Sequence, residues 1–378
     1  MANNTCVVVF PSMFAKNKIS ELTSNIKKIL KIHNLKFQAV TKDGSVIVVK
    51  VNDPVFASSA INLLFGIEKI IIANKIKNNF DKIISEITTV GSRLLLKGEK
   101  FYVNVEGVSS GYLPKDVEIS ATSKLVQKTL KLGAKPGTKT KYDKLLYTYL
   151  TKSNGYVAIY FDNGLGGVPN NSQNQKTICC IFDEFSAISC LECIKQGFDV
   201  KIIVCYDKQT GLRNLVKILN RIMPRMLQEK IEIEFYHLSL PRKDQQKLAT
   251  AIQIISQILK KVAVSNRINL ISLPVSPLLH QSQFIEYLTK NIFDDGLIPY
   301  LPLSGLDDSI INNMKEIGLE KHLSKIEQLT KNKFSFQKGG TQKLTTLINS
   351  STKTRKLVRV TLGPNNVHDI LDSLKIDH

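Results

Sequence analysis

The residues best placed to do chemistry in this chain lie between Lys176 and Ala187, in the order Lys-Thr-Ile-Cys-Cys-Ile-Phe-Asp-Glu-Phe-Ser-Ala. An apolar run leads there through a turn into a helical pattern, the arrangement with which many α/β proteins grip a phosphate. Such a grip needs glycines, so that backbone N–H groups can approach the anion closely. Phe182, Asp183, Glu184 and Phe185 stand in their place, with Ser186 behind them. Two acids and two bulky rings oppose a triphosphate, and the ordinary expectation for Asp183 is a helix N-cap. A glycine-rich run, Gly164-Leu-Gly-Gly-Val-Pro169, precedes this loop across the polar joint Asn170-Asn-Ser-Gln-Asn-Gln-Lys176.

Other reactive residue types are thinly spread. The cysteines are Cys6, Cys179, Cys180, Cys190, Cys193 and Cys205. Cys190-Leu-Glu-Cys193 is a CxxC on a helical pattern with no second ligand pair and no nearby histidine, so small buried helix residues are the expected reading. Cys205 ends an apolar run and could face a crevice as a thiol nucleophile, or be a buried strand end. The six histidines are dispersed, and His280, before Gln281-Ser-Gln283, is the one near the expected crevice. No metal set is expected.

Charge points elsewhere. The formal net charge is +20. Residues 1–176 hold 25 Lys+Arg against 12 Asp+Glu, whereas the remainder holds 27 against 20. The excess in the first part suits a polyanion, nucleic acid first; a general lysine bias of composition is the alternative. Arg93 is the one arginine in that part. Lysine acts as a point charge on phosphate, whereas arginine reads guanine edges, so binding there should follow shape and backbone. Lys115, Lys124, Lys128 and Lys131 on one helical pattern, and Lys135, Lys139 and Lys141 in the loop after it, suit a nucleic-acid surface; a solvated charged helix face is the alternative.

The elements that must position these residues follow from periodicity. Strand Cys6–Phe10, helix Ile19–Ile32, a hairpin of Phe37–Thr41 and Val46–Val51, a helix opened by Asp53-Pro54 and strand Ile67–Ala73 spell β-α-β-β-α-β, a ferredoxin-like unit over residues 1–75. Helix Phe80–Leu96, strand Lys100–Val105, helix Lys115–Leu132, a basic loop over 133–143 and paired strands Leu145–Leu150 and Gly155–Phe161 make a second unit. From 177 onward short apolar strands (Thr177–Ile181, Val200–Cys205, Ile231–His237, Ile268–Ser272) alternate with helices near 186–197, 209–228 and 243–263, the pattern of a doubly wound parallel sheet. Lys321–Lys338 reads as irregular, Thr354–Leu362 as a basic strand and Asn366–Leu374 as a closing helix. No span of 18 apolar residues occurs and no signal-peptide order opens the chain, so a cytoplasmic protein without membrane contact is expected.

In this order of parts the chain resembles the tRNA 4-thiouridine synthetase family, which also appears as a thiamine-biosynthesis sulfur-transfer protein. Leu64-Phe-Gly-Ile67 resembles its hand-over from the first domain, Lys100-Phe-Tyr-Val103 its central THUMP strand, and Gly164-Leu-Gly-Gly-Val-Pro169 its glycine-rich THUMP exit. Ile194-Lys-Gln-Gly197, Ser282-Gln283 and Pro299-Tyr-Leu-Pro-Leu303 are similar to its PP-loop helix end, Ser-Gln pair and late strand. The resemblance covers roughly residues 1–320. It implies an N-terminal ferredoxin-like domain (1–75), a THUMP RNA-binding domain (76–169), a linker (170–176), a PP-loop ATP-pyrophosphatase-like domain (177–320) and a C-terminal extension (321–378). The family's Ser-Gly-Gly-X-Asp-Ser loop would fall on Ile181, Phe182, Asp183, Glu184, Phe185 and Ser186, of which the final serine alone matches. The family's late sulfur-carrying cysteine has no counterpart, since no cysteine follows Cys205.

The resemblance therefore implies a tRNA- or structured-RNA-binding protein with a degenerate nucleotide loop, no catalytic residue and no cofactor, its RNA contacts carried by Lys97, Lys100, Tyr102, Lys115, Lys124, Lys128, Lys135, Lys139 and Lys141, with Tyr102 stacking on a base or packing in the core. The silent domain would hold a homodimer interface or a partner enzyme. Two alternatives stand beside it: an active ATP- and Mg2+-dependent tRNA sulfurtransferase with an altered loop, and a protein-interaction scaffold that binds no RNA.

Overall fold

A computed structural model describes residues 5–109, 111–240, 247–305, 308–319, 341–363 and 365–375. The chain divides into two compact units, the first ending at Gly167 and the second beginning at Val168.

The first unit is built on one eight-stranded sheet. Its strands are β1 (Thr5–Pro11), β2 (Phe37–Asp43), β3 (Val46–Val51), β4 (Ile67–Lys77), β5 (Lys100–Gly107), β6 (Lys135–Pro136), β7 (Lys144–Leu150) and β8 (Asn154–Gly166). Their spatial order is β2-β3-β1-β4-β8-β7-β5-β6. The ferredoxin-like order read from the sequence is present, with α1 (Ile19–Ile32) and α2 (Pro54–Ile61) in their expected places. The α1 helix buries Leu22, Ile26, Ile29 and Leu30, one stripe at helical spacing. A second pair, α3 (Phe80–Leu94) and α4 (Pro114–Lys128), covers the far part of the sheet. Ile83, Ile87 and Val90 of α3 and Val117, Ala121 and Leu125 of α4 pack on Phe101, Val103, Val105 and Leu146.

The two sets of elements are joined strand to strand. β4 pairs antiparallel with β8 from Ile67↔Gly166 to Lys77↔Asn154. The glycine run after Phe161 serves this joint. A Cβ on Gly164 would stand 2.3 Å from the Ile67 carbonyl oxygen, so only glycine lets the strands close there. Gly66 N donates to Gly166 O at 2.7 Å and Ser12 Oγ to Gly167 O at 2.6 Å. Both sequence motifs, Leu64–Ile67 and Gly164–Gly167, thus tie one seam of the sheet. On the face away from the helices, Cys6, Val8, Phe10, Tyr147, Tyr156 and Ala158 form a second core. Asp43 at the β2–β3 hairpin closes it by accepting from Tyr156 Oη (2.5 Å), Asn154 Nδ2 (2.7 Å) and Thr151 Oγ1 (3.1 Å).

The second unit carries a six-stranded sheet of β9 (Lys176–Ile181), β10 (Asp199–Tyr206), β11 (Lys230–His237), β12 (Leu270–Ser272), β13 (Ile298–Tyr300) and β14 (Lys356–Thr361), ordered β13-β12-β9-β10-β11-β14. Five strands are parallel, as their continuous apolar runs require. The chain steps from β9 through β10 to β11 and then returns to the other side of β9, which makes the end of β9 the switch point of the sheet. The flanking helices are α5 (Glu184–Lys195), α6 (Gln209–Ile222), α7 (Lys247–Ser265), α8 (Ser282–Phe293), α9 (Asp308–Glu316), α10 (Thr341–Lys353) and α11 (Asn366–Ser373). Among the described residues α7 alone is long and apolar enough to cross a membrane, and 61% of its apolar window is buried inside the unit.

One segment differs from its sequence reading, and a second appears as read. The polar joint after Pro169 is fastened to this unit: Asn170 and Ser172 are buried, and Gln173 N donates to Gly197 O at 3.0 Å. The basic strand read at 354–362 adds antiparallel to β11, with Lys230↔Thr361 and Phe235↔Lys356 in register. Arg355 and Arg359 pair with Glu234 and Glu232 there, at 2.8 and 2.7 Å, so those basic residues serve the sheet edge. The expected irregular stretch Lys321–Lys338 lies outside the described residues.

Candidate nucleic-acid interface

β5, β6 and β7 run parallel, so their starts share one end of the first sheet. Lys100 opens β5, Lys135 opens β6, and Lys139 and Lys141 sit in the loop leading to β7. That loop is pinned to the start of β5 by four hydrogen bonds. Lys135 N donates to Glu99 O (3.1 Å), Gly137 N to Phe101 O (2.7 Å), Asp143 N to Lys100 O (2.7 Å), and Lys100 N to Asp143 Oδ2 (2.7 Å). A Cβ on Gly137 would lie 2.5 Å from Lys141 O, so the tight turn demands glycine. Lys97, just before β5, and Lys128, at the end of α4, come to the same end. Lys97, Lys100, Lys124, Lys128, Lys135, Lys139 and Lys141 are all exposed.

Two residues sit differently. Lys115 lies at the opposite end of α4, about 20 Å from Lys128 by helical rise. Its ammonium donates to Glu118 at 2.6 Å, and Glu118 in turn accepts from Val105 N at 3.0 Å. The hydrogen bond to Glu118 and its charge hold the Lys115 ammonium above its usual range. Tyr102 is half-buried and stacks on Tyr142, with ring centroids 5.8 Å apart and planes 25° apart. Tyr142 is exposed beside Lys141 and escaped the sequence reading. Its signal was the Lys-Tyr pair in a basic loop, an aromatic interleaved with charge.

In the second unit, the loop after β9 is closed on itself. Asp183 caps α5, its Oδ1 accepting from Ser186 N at 2.8 Å. Ser186 Oγ accepts from Phe182 N and Asp183 N, each at 2.9 Å, and donates to Asp183 O at 2.9 Å. Three amides that could face an anion are therefore spent inside the loop. Phe185 turns into the core toward His280 (centroids 6.4 Å apart) and Phe182 packs on the core around α7. Glu184 is half-buried in the first turn of α5.

Beside this loop a cavity of about 330 Å³ opens at the carboxyl ends of β9, β10 and β11. Asp183, Cys205, Tyr206, Asp207, Leu238 and Lys247 are among its walls. Burial works against the Asp207 carboxylate, but the Lys247 ammonium at 2.7 Å holds its pKa below the ordinary range. Cys205 lines the floor of this cavity and is itself fully buried. All six cysteines are free thiols and buried. Burial pushes Cys179 and Cys193 well above a normal thiol. Cys193 Sγ lies 3.3 Å from Ser272 Oγ. Among the described residues no three His, Cys, Asp or Glu side chains come together as a metal set. His280 is buried beneath the loop, burial lowers its pKa, and its Nδ1 sits 3.2 Å from Ser276 N.

Two solved structures share this architecture. A 4-thiouridine synthetase in complex with RNA and bound ATP superposes with a TM-score of 0.64 at 13% identity, covering 94% of this chain and 99% of that one. The protein PH1313 from Pyrococcus horikoshii Ot3 does so with a TM-score of 0.62 at 17% identity, covering 83% of this chain and 100% of that one. No protein-family model and no curated protein matches the sequence. The chain therefore has the mixed α/β fold of these proteins.

Proposed function

We propose that this chain binds tRNA or another structured RNA through the lysine-bearing end of its first unit. The observation that carries this reading is the gathering of Lys97, Lys100, Lys128, Lys135, Lys139 and Lys141 at one end of the first sheet, the last three in a segment pinned to the start of β5 by hydrogen bonds. Lysines contact phosphates, and the Tyr102–Tyr142 pair offers a face for an unpaired base. The structural neighbour captured with RNA supports the same partner.

On this reading the second unit is a degenerate PP-loop domain that does not adenylate RNA. The amides of Phe182, Asp183 and Ser186 are bonded within the loop. An added phosphate charge near Asp183 or Glu184 meets repulsion of about 4 kcal/mol for a 4 Å contact at an effective dielectric of 20. Sequencing the RNAs that co-purify with the chain tests the reading. It expects tRNA or another folded RNA, lost when Lys135, Lys139 and Lys141 are changed to Gln.

One observation favours a second reading. Cys205 and Asp207 line a cavity at the strand ends, where a doubly wound sheet holds its ligand. An enzyme acting there on ATP and RNA would show RNA-stimulated ATP–pyrophosphate exchange with the purified chain. The first reading expects none, and expects no change in the 4-thiouridine content of RNA incubated with the chain.

A further inference from the structure

One cavity of the first unit lies away from the lysines already described. It measures about 890 Å³ and opens between the start of β1, the ends of β3 and β4, and the first turn of α3. Lys50, Lys75, Lys77 and Lys82 line it, and no carboxylate does. None of the four is held in an ion pair among the described residues. Of the acids around it, Asp43 accepts from Asn154 and Tyr156, Glu86 accepts from Asn74 Nδ2 at 2.8 Å, and Asp53 caps α2 through Val55 N and Phe56 N, each at 3.1 Å, while Asp81 precedes Lys82 in the first turn of α3. Cys6 forms part of the wall, and burial pushes its thiol up to about 11 even though Lys75 and Lys50 pull it down, so it adds no negative charge. A concave surface with four cations and no anion concentrates a field that attracts phosphate.

We propose that this cavity seats the phosphate backbone of the same RNA, as a second site on the first unit; the inference rests on the RNA-binding reading above. The wall chemistry favours a strand over a free nucleotide. Its cations are all lysines, set among the neutral side chains of Thr5, Gln38, Asn52 and Asn154, with no arginine fork to grip a pyrophosphate and no aromatic ring to stack a base. The amide of Lys82 at the start of α3 is already taken by the Asn79 side chain at 3.1 Å. Position fits as well. β7 runs from Lys144, beside the first lysine cluster, to Leu150, next to the β8 start that borders the cavity. Its seven residues span roughly 20 Å, a distance a folded RNA bridges and a few nucleotides do not.

The test compares the full chain with its Lys75→Gln/Lys77→Gln and Lys135→Gln/Lys139→Gln variants, using fluorescence anisotropy with tRNA, a single-stranded tetranucleotide and ATP. For Lys75→Gln/Lys77→Gln, the slope of log affinity for tRNA against log salt should flatten by about 1.8, roughly 0.9 per lost phosphate contact. Affinity for tRNA should fall severalfold at moderate salt, and tetranucleotide binding should not change. Circular dichroism should show an unaltered fold, since Lys77 is exposed and Lys75 half-buried. If Lys135→Gln/Lys139→Gln weakens tRNA binding and Lys75→Gln/Lys77→Gln leaves affinity and slope intact, the second site is refuted while the first survives. If neither variant weakens binding, the RNA reading falls with it. ATP binding that depends on Lys75 and Lys77 while tRNA binding does not would make the cavity a nucleotide site and overturn the proposal.

Discussion

Replacing Ser186 by Ala removes a single hydroxyl and separates a structural from a ligand-binding role for the loop after β9. That hydroxyl accepts from the amides of Phe182 and Asp183, each at 2.9 Å, and Ser186 is fully buried. Water cannot take its place without opening the loop. Two amides left without an acceptor cost about 1 kcal/mol each, roughly 2 kcal/mol together. The Asp183 cap survives, because it uses the Ser186 backbone N–H. For a unit of roughly two hundred residues, a loss of about 2 kcal/mol lowers Tm by about 4–8 °C. Differential scanning calorimetry with and without Mg2+-ATP reads the effect, with tRNA affinity measured in parallel. The second unit should melt earlier, ATP should shift neither protein, and tRNA affinity should hold. An unchanged Tm combined with an ATP-induced shift that the wild type shows and Ser186→Ala loses would refute the reasoning, since the hydroxyl would then serve a ligand.

Other positions give equally direct outcomes. Gly164→Ala forces a methyl to 2.3 Å from the Ile67 carbonyl, where backbone must move, so the first unit should lose about 1–3 kcal/mol in urea melts. Tyr142→Ala, at an exposed ring, should leave the melting temperature alone and weaken single-stranded RNA binding by about 1–3 kcal/mol in anisotropy titrations. At Glu234, burial raises the carboxyl pKa, but hydrogen bonds from Arg355 and Tyr236 and the charge of Lys201 outweigh it, leaving the pKa below normal. A depressed carboxyl stabilises fully above its unfolded value, about 4.3, and that gain is lost as pH falls through the folded value. The stability advantage of wild type over Glu234→Gln should therefore be full at neutral pH and shrink in melts taken below about pH 4.

Much of the fold could be read from local pattern. Val7-Val-Val-Phe10, the hairpin around Asp43-Gly44 and the stripe Leu22, Ile26, Ile29 each announce their element through near neighbours. The parallel strands Ile178–Ile181 and Val200–Cys205 did so by being apolar on both faces. Asp183 as a cap followed from its place before a helix. What escaped depends on partners distant in sequence. The union of β4 with β8 joins Ile67 to Gly166, and nothing local to either residue names the other. The run Thr354–Leu362 read as a basic strand, but nothing in it said that Glu232 and Glu234 would receive its arginines. Lys50, Lys75, Lys77 and Lys82 come from three separate elements, so their convergence has no linear signature. Lys115 looked like its neighbours on α4, until Glu118, itself fixed to β5, proved to hold it.

The most direct test of RNA binding by the lysine-bearing end is tRNA affinity measured across a salt series, for the wild-type chain and for Lys135→Gln/Lys139→Gln/Lys141→Gln. The wild-type log–log slope should be steeper than about −4, and that of the triple variant shallower by about 2.7, roughly 0.9 for each lost phosphate contact. A wild-type affinity that scarcely responds to salt, or a triple variant with an unaltered slope, would contradict RNA binding by that end.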